Sequence, residues 1–388
     1  MDPITRALHT RGEVSDTLPT VTPLFQTSAF EAGSPFFYTR KNNPNTAEFE
    51  DVVRVLEGAR HAIAVASGMA AIRICLDQLR PGSTMVLNRL VYGCSFKLVQ
   101  RFCRRFDIDL RILDLTCQRD ISAIPAQTSM VLFETPTNPF LHTIDISEIS
   151  STVKGRNPSA LVIVDNTWAT SLYQHPLELG ADVSLHSATK YMSGHSDVMG
   201  GVILTNRDDL GEAFRDERFY SGAIIDPFAC WLLRRSMQTF GARLAQQSQT
   251  TKEMRTFLKE LPQIEKVYYP DIDPNQLSNY GGILFVKLRD DLIEKYDEFA
   301  KALRFFGSGT AMACVTSTVA QPFTGSHASM TDSEKEKMGL SRSLVRLCFG
   351  LENADDLRSD LRQAFQAIDR LPSAPIEIPA QHTDEPLR

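Results

Sequence analysis

The chain has 388 residues, 43% of them hydrophobic and 23% charged, which is globular usage and sets aside the disordered, collagen-like and membrane-embedded classes. With 41 basic against 47 acidic residues the formal charge is −6, spread without long like-charge blocks, so there is no field to hold a polyanion and nucleic acid is not an expected partner. Seven cysteines, an odd number with no CxxC pair and no zinc spacing around Cys94 or Cys103, point to a reducing compartment. No apolar run reaches the about 18–20 residues of a membrane span, and residues 1–6 lack the basic-then-apolar start of a leader. The expected location is the cytoplasm.

The length suggests two or three domains. Residues 1–45, rich in Pro, Thr and Ser with little periodicity, are expected to form an extended arm. From about 46 to 240, short apolar runs alternate with helical periodicity, the pattern of a parallel sheet with crossover helices. The expected strands are 61–65, 84–87, 109–113, 130–134, 161–165, 183–186 and 202–205, apolar enough to be covered on both faces. A long amphipathic helix over 238–261 then opens a smaller α+β domain, 241–370. Its expected strands are 267–270, 283–286 and 344–349, and its last helix, 354–368, starts on the acidic pair Asp355-Asp356, suited to a helix N-terminus. Residues 371–388 carry four prolines and read as a loose tail.

In open parallel sheets ligands bind beyond the carboxyl ends of the strands, so the residues ending each run matter most. Run 161–165 ends in Asp165-Asn166-Thr167, a carboxylate at the mouth of an apolar sheet that requires a cationic partner, a helix to cap or Mg²⁺. Run 183–186 leads into Ser187-Ala188-Thr189-Lys190-Tyr191, where the hydroxyls suit a phosphate and a desolvated lysine can form a Schiff base. After 61–65 comes Ala66-Ser67-Gly68-Met69, a helix start whose free N–H groups can receive an anion, although it is neither a GxGxxG nor a GxxxxGK[ST] loop. After 130–134 comes Thr135-Pro136-Thr137-Asn138-Pro139, either a stiffened connection or a loop aiming Asn138 inward.

An anion cradle, a carboxylate and an aldehyde-trapping lysine together suit pyridoxal 5′-phosphate, whose ring nitrogen an acid keeps protonated. The chain also resembles the Cys/Met metabolism enzymes, the group of cystathionine γ-lyase, methionine γ-lyase and cystathionine γ-synthase, from about Pro23 to near Ile368. The resemblance lies in Tyr38-Thr39-Arg40-Lys41-Asn42-Asn43-Pro44, Val164-Asp165-Asn166-Thr167, Pro176-Leu177-Glu178-Leu179-Gly180-Ala181-Asp182, the run from His186 through Lys190 to His195, and Ser343-Leu344-Val345-Arg346-Leu347.

That likeness implies the fold-type I, aspartate aminotransferase-like α/β architecture, with a mostly parallel seven-stranded sheet and a smaller C-terminal α+β domain. It implies Lys190 as the Schiff-base lysine and Asp165 as the partner of the pyridine nitrogen. The phosphate would fall to Gly68, Met69, Ser187 and Thr189, completed by Tyr38 and Arg40 from a neighbouring subunit in a homotetramer of catalytic dimers. Tyr92 would stack on the ring and protonate the leaving group, its phenol lowered by Arg40, while Asn138 would bond the cofactor's phenolic oxygen. Arg346 would grip the substrate α-carboxylate, with Cys94 and Thr316 toward its distal end. His186 and His195 are expected to be structural, and no metal is expected.

The implied reaction is γ-elimination or γ-replacement on a γ-substituted L-amino acid. β-Elimination and O-acylhomoserine-dependent synthesis are the alternatives, and a cofactor-free scaffold is disfavoured. The family's Ser-Leu-Gly-x-x-Glu-Ser stretch is missing here. Thr316-Ser317-Thr318-Val319-Ala320-Gln321-Pro322 stands in its place, which admits an unusual substrate such as canavanine.

Overall fold

The computed structural model describes residues 2–10 and 19–370; the expected tail, 371–388, lies outside the described residues, as does the 11–18 part of the arm. The larger sheet is built from β1 (His61–Val65), β2 (Thr84–Asn88), β3 (Asp109–Leu113), β4 (Thr128–Glu134), β5 (Leu161–Asp165), β6 (Val183–His186) and β7 (Gly201–Thr205), in the order β1-β7-β6-β5-β4-β2-β3. Every expected run is a strand, with ends moved by two residues at most. The pairs from β3 through β6 are parallel, whereas β7 runs antiparallel to both β1 and β6. A parallel return from β6 would need a helical crossover. Residues 187–200 instead form turns without a helix and fold back over the carboxyl end of β6, which is where they leave Lys190.

The expectation that all seven strands are covered on both faces fails at β3. It is the sheet edge, half-exposed along its length, and its Asp109 and Arg111 are the charged residues that protect an edge from further pairing. The arm is likewise not extended throughout. Asp2 accepts from the Ile4 and Thr5 N–H groups and Pro3 presets the first turn, so residues Pro3–His9 form α1. Asn43 and Pro44 start α2 (Pro44–Glu57) by the same logic.

The second sheet has β8 (Ile264–Tyr268), β9 (Ile283–Leu288), β10 (Gly307–Ser308), β11 (Thr318–Ala320) and β12 (Leu344–Cys348), ordered β10-β11-β12-β9-β8. Alternate residues Leu284, Val286, Val345 and Leu347 face a core closed by Phe299 and Phe365, whose rings stack 4.5 Å apart. The helices Phe240–Lys259 and Ala354–Asp369 cover this sheet, the latter capped by Asn353 with Asp355 and Asp356 in its first turn.

Candidate active site at the strand ends

A cavity of about 270 Å³ opens at the carboxyl ends of β4, β5 and β6. One wall is the start of α3 (Gly68–Leu76), whose first N–H groups have no intrahelical acceptor; Ser67 caps it by accepting from Ala70 at 3.2 Å. Glycine is required here. A Cβ on Gly68 would stand 2.9 Å from the Ser187 Cβ, and one on Gly201 would stand 2.3 Å from the Ser67 carbonyl oxygen. Only without those carbons can the β1–α3 turn lie against the β6–β7 loop.

Across the cavity, the Asp165 Oδ1 accepts from the Thr167 N–H at 3.0 Å and from its hydroxyl at 2.5 Å. The same hydroxyl accepts from the Ser187 N–H at 2.8 Å, which ties the end of β5 to the loop after β6. Burial pushes the Asp165 carboxyl above its ordinary range, against the pull of Thr167 and His186. Such a carboxyl becomes a stable anion when a cation is set against it. Lys190 also lines the cavity, and its ammonium is lowered by burial and then by the Arg346 guanidinium, the direction that frees an amine to act as a nucleophile.

Gly68, Met69, Tyr92, Asn138, Asp165, Ser187, Thr189 and Lys190 all face this one space. Thr189 bonds the Gly200 backbone through its hydroxyl, accepting at 3.0 Å and donating at 3.2 Å. The other five expected residues lie outside the lining. Arg346 is buried behind it on β12, donating to the carbonyls of Thr310 and Ala311 at 3.3 and 3.1 Å, with its Nε unpartnered. Cys94 sits in the first turn of α4 (Gly93–Arg105), its sulfur 4.0 Å from the Ser329 hydroxyl. Thr316 is exposed, because the chain enters β11 next to it and turns inward only from Ser317; Thr310 and Met312 are the residues of that segment that reach the cavity. Tyr38 and Arg40 stay on the arm, where the Arg40 guanidinium lies 4.3 Å over the Phe219 ring and donates to the Phe219 carbonyl at 2.8 Å.

Within the chain the Tyr92 phenol is pushed up to about 12, chiefly by burial, then by Cys94 and by the Glu134 charge, with Arg346 opposing. Arg40 of the same chain stays on the arm against Phe219 and takes no part in this balance.

Several site residues were not legible in the sequence. Glu134 ends β4 as Asp165 ends β5, and the same signal, an acid closing an apolar run, marks it. Met312, Gly325 and Ser326 come from the second sheet's loops. His327 holds that loop down. It bonds the Val91 carbonyl at 3.3 Å and the Ser326 hydroxyl at 2.9 Å, and Gly93 lets the Ser326 carbonyl approach where a Cβ would be 2.8 Å away. Burial lowers the His327 imidazole to about 4, so it is neutral. His186 is bonded to the buried Glu57 at 3.1 Å on the sheet. Among the described residues no cluster of His, Cys, Asp or Glu could hold a metal, and no helix is long and apolar enough to cross a membrane.

A helix N-terminus beside two hydroxyls, a desolvated lysine and a carboxyl in need of a cation form the donor set for a phosphorylated aldehyde with a basic ring nitrogen, and pyridoxal phosphate fits it. A two-sheet α/β chain with that site is a fold-type I pyridoxal-phosphate enzyme. Residues 5–366 match the Cys/Met metabolism PLP-dependent enzyme family, and the chain belongs to it. It is 35% identical over 358 residues to a cystathionine beta-lyase of Lactococcus lactis subsp. cremoris, covering 89% of this chain and 93% of that protein. An L-methionine gamma-lyase of Fusobacterium nucleatum subsp. polymorphum is 32% identical with the same coverage. A cystathionine gamma synthase structure from Xanthomonas oryzae pv. oryzae superposes with a TM-score of 0.91 at 29% identity, over 95% of this chain and 99% of that one.

Proposed function

We propose that this enzyme eliminates the γ-substituent of an L-amino acid. The observation that carries the reading is the placement of Tyr92 on the wall of the cavity that Lys190, Asp165 and Asn138 also line, with burial pushing its phenol up. A phenol so placed is a proton donor to a departing group near the cation that grips the α-carboxylate.

Bound pyridoxal phosphate supplies an electron sink that makes the substrate's Cα proton acidic. The chain does the rest. Lys190 would hold the cofactor through Nζ, and its amine, once free, would take the Cα proton and return one farther along the substrate's carbon skeleton. Asp165 would keep the ring nitrogen protonated and Asn138 would bond the phenolic oxygen. The Gly68 and Met69 N–H groups with Ser187 and Thr189 would hold the phosphate. Arg346, once its guanidinium is released from the Thr310 and Ala311 carbonyls, takes the carboxylate in two-pronged fashion. Tyr38 and Arg40 reach the site of a neighbouring subunit in a homotetramer, which accounts for their distance from their own chain's cavity. The enzyme works in the cytoplasm.

β-Elimination is the second reading, favoured by the cystathionine beta-lyase relative. Cystathionine separates the two: γ-elimination yields 2-oxobutyrate and cysteine, β-elimination pyruvate and homocysteine. The test is mass spectrometry of products from cystathionine, methionine, O-acylhomoserines and canavanine. 2-Oxobutyrate, homoserine or a γ-exchange product is expected, and pyruvate alone overturns the reading. The stretch 316–322, standing where the family's usual motif is lost, favours a γ-substituent outside the ordinary sulfur series, canavanine among the candidates.

A further inference from the structure

The reading above leaves Glu134 without a task. The β4–β5 register sets it directly beside Asp165, so two acids share one end of the sheet. Its Oε1 accepts the Tyr92 N–H at 2.7 Å, and Tyr92 is the residue on which α4 starts, with no side-chain cap of its own. Its Oε2 is buried without a hydrogen-bond partner, on a residue that is 3% exposed and lines the cavity. A buried polar atom left unsatisfied forfeits its hydration with nothing in return, and native structures keep few of them without a use.

We infer that Glu134 is a positioning residue of this site: Oε1 fixes the Tyr92 backbone, and with it the ring, while Oε2 is kept as a hydrogen-bond donor to the bound cofactor. Two neighbouring carboxyls in one apolar pocket do not both ionise readily, and their environments decide which keeps the proton. Asp165 receives two donors from Thr167, which favour its anion. Glu134 receives one, on Oε1. Burial and the Asp165 charge push its carboxyl well above the ordinary range; the Tyr92 N–H and the Trp168 indole oppose this, the indole without reaching Oε2 in hydrogen-bond geometry. Division of labour follows. Asp165 is the anion for the ring nitrogen, and Glu134 is the neutral acid that lets the two sit side by side.

The inference rests on the cofactor site read above and not on the choice of γ over β elimination. Purified holoenzyme is compared with Glu134→Gln, which keeps an acceptor and a donor, and Glu134→Met, which keeps only the length. The infrared difference between wild type and E134Q should contain the C=O stretch of a protonated carboxyl. Hydrogen exchange of the Tyr92 amide and the cofactor dissociation constant, followed by visible absorption, should each rise about tenfold in E134M and be restored by E134Q. A wild-type spectrum with only carboxylate bands from Glu134 overturns the inference, as does an E134Q protein that loses Tyr92 protection or an E134M protein that keeps both readouts. The infrared band and E134Q need no destabilised variant. A wild-type protein with no visible cofactor band would instead sink the site reading itself.

Discussion

The two walls of the cavity are made in different ways. The wall from the large sheet consists of strand ends, where Asp165, Thr167 and Ser187 are linked by a chain of hydrogen bonds and glycines are locked in by steric contact. The opposing wall comes from the loops on either side of β11, which supply Thr310, Met312, Gly325 and Ser326; Gly309 and Ala313 there have positive φ, and residues 309–311 are exposed. Strand ends fixed by sheet register hold the first wall rigidly, while loops outside the register are freer to vary what they admit.

Breaking the first wall should cost most. Lys190→Ala should lower kcat by about 10⁴-fold, since on the proposed mechanism it removes both the covalent anchor and the proton shuttle; stopped-flow turnover and the lost visible band would show it. Asp165→Asn should lower kcat/KM by about 10³-fold while the protein stays folded by circular dichroism, because on the proposed mechanism it removes the charge opposite the ring nitrogen. Tyr92→Phe should cost about 10²-fold in kcat with KM little changed, and less for substrates with good leaving groups.

The seam between the walls is pH-sensitive. His327 is neutral when folded, with its imidazole at about 4, against an ordinary value near 6.5 in the unfolded chain. The unfolded state therefore binds a proton first, and the stability present above about pH 6.5 is lost as pH falls to about 4, by roughly 3 kcal/mol. Melting temperatures of wild type and His327→Gln between pH 7 and 4 should converge as the pH drops; parallel curves would show that the imidazole does not set the seam. The smallest effect is expected on the second wall. Met312→Ala should shift the ratio of kcat/KM between long and short γ-substituents by about tenfold, with the cofactor absorption unchanged.

The cofactor wall was legible because its signals are local. An apolar run of strand length ending in Asp165, or leading into Ser187, Thr189 and Lys190, announces both the strand and the side chains at its mouth. Glu134 had the same signature but was eclipsed by the prolines that follow it. Thr316 failed for the opposite reason: its place was inferred by alignment to a missing motif, and strand entry at β11 leaves it in solvent while Met312 reaches the cavity. The phenol of Tyr92 could not be read because its proton affinity depends on Cys94, Glu134 and Arg346, which come from three separate segments.

The sequence alone determined the seven-stranded sheet, the family and that Lys190 and Asp165 stand at strand ends facing one cavity, since hydrophobic periodicity and strand-end chemistry are properties of neighbours along the chain. Only the tertiary structure decided that β7 runs antiparallel, that Arg346 is occupied by backbone carbonyls, and that Glu134 stands beside Asp165 with one oxygen unspent. Those outcomes depend on burial and on contacts between distant segments, which set the electrostatics of a site and leave no trace in local pattern.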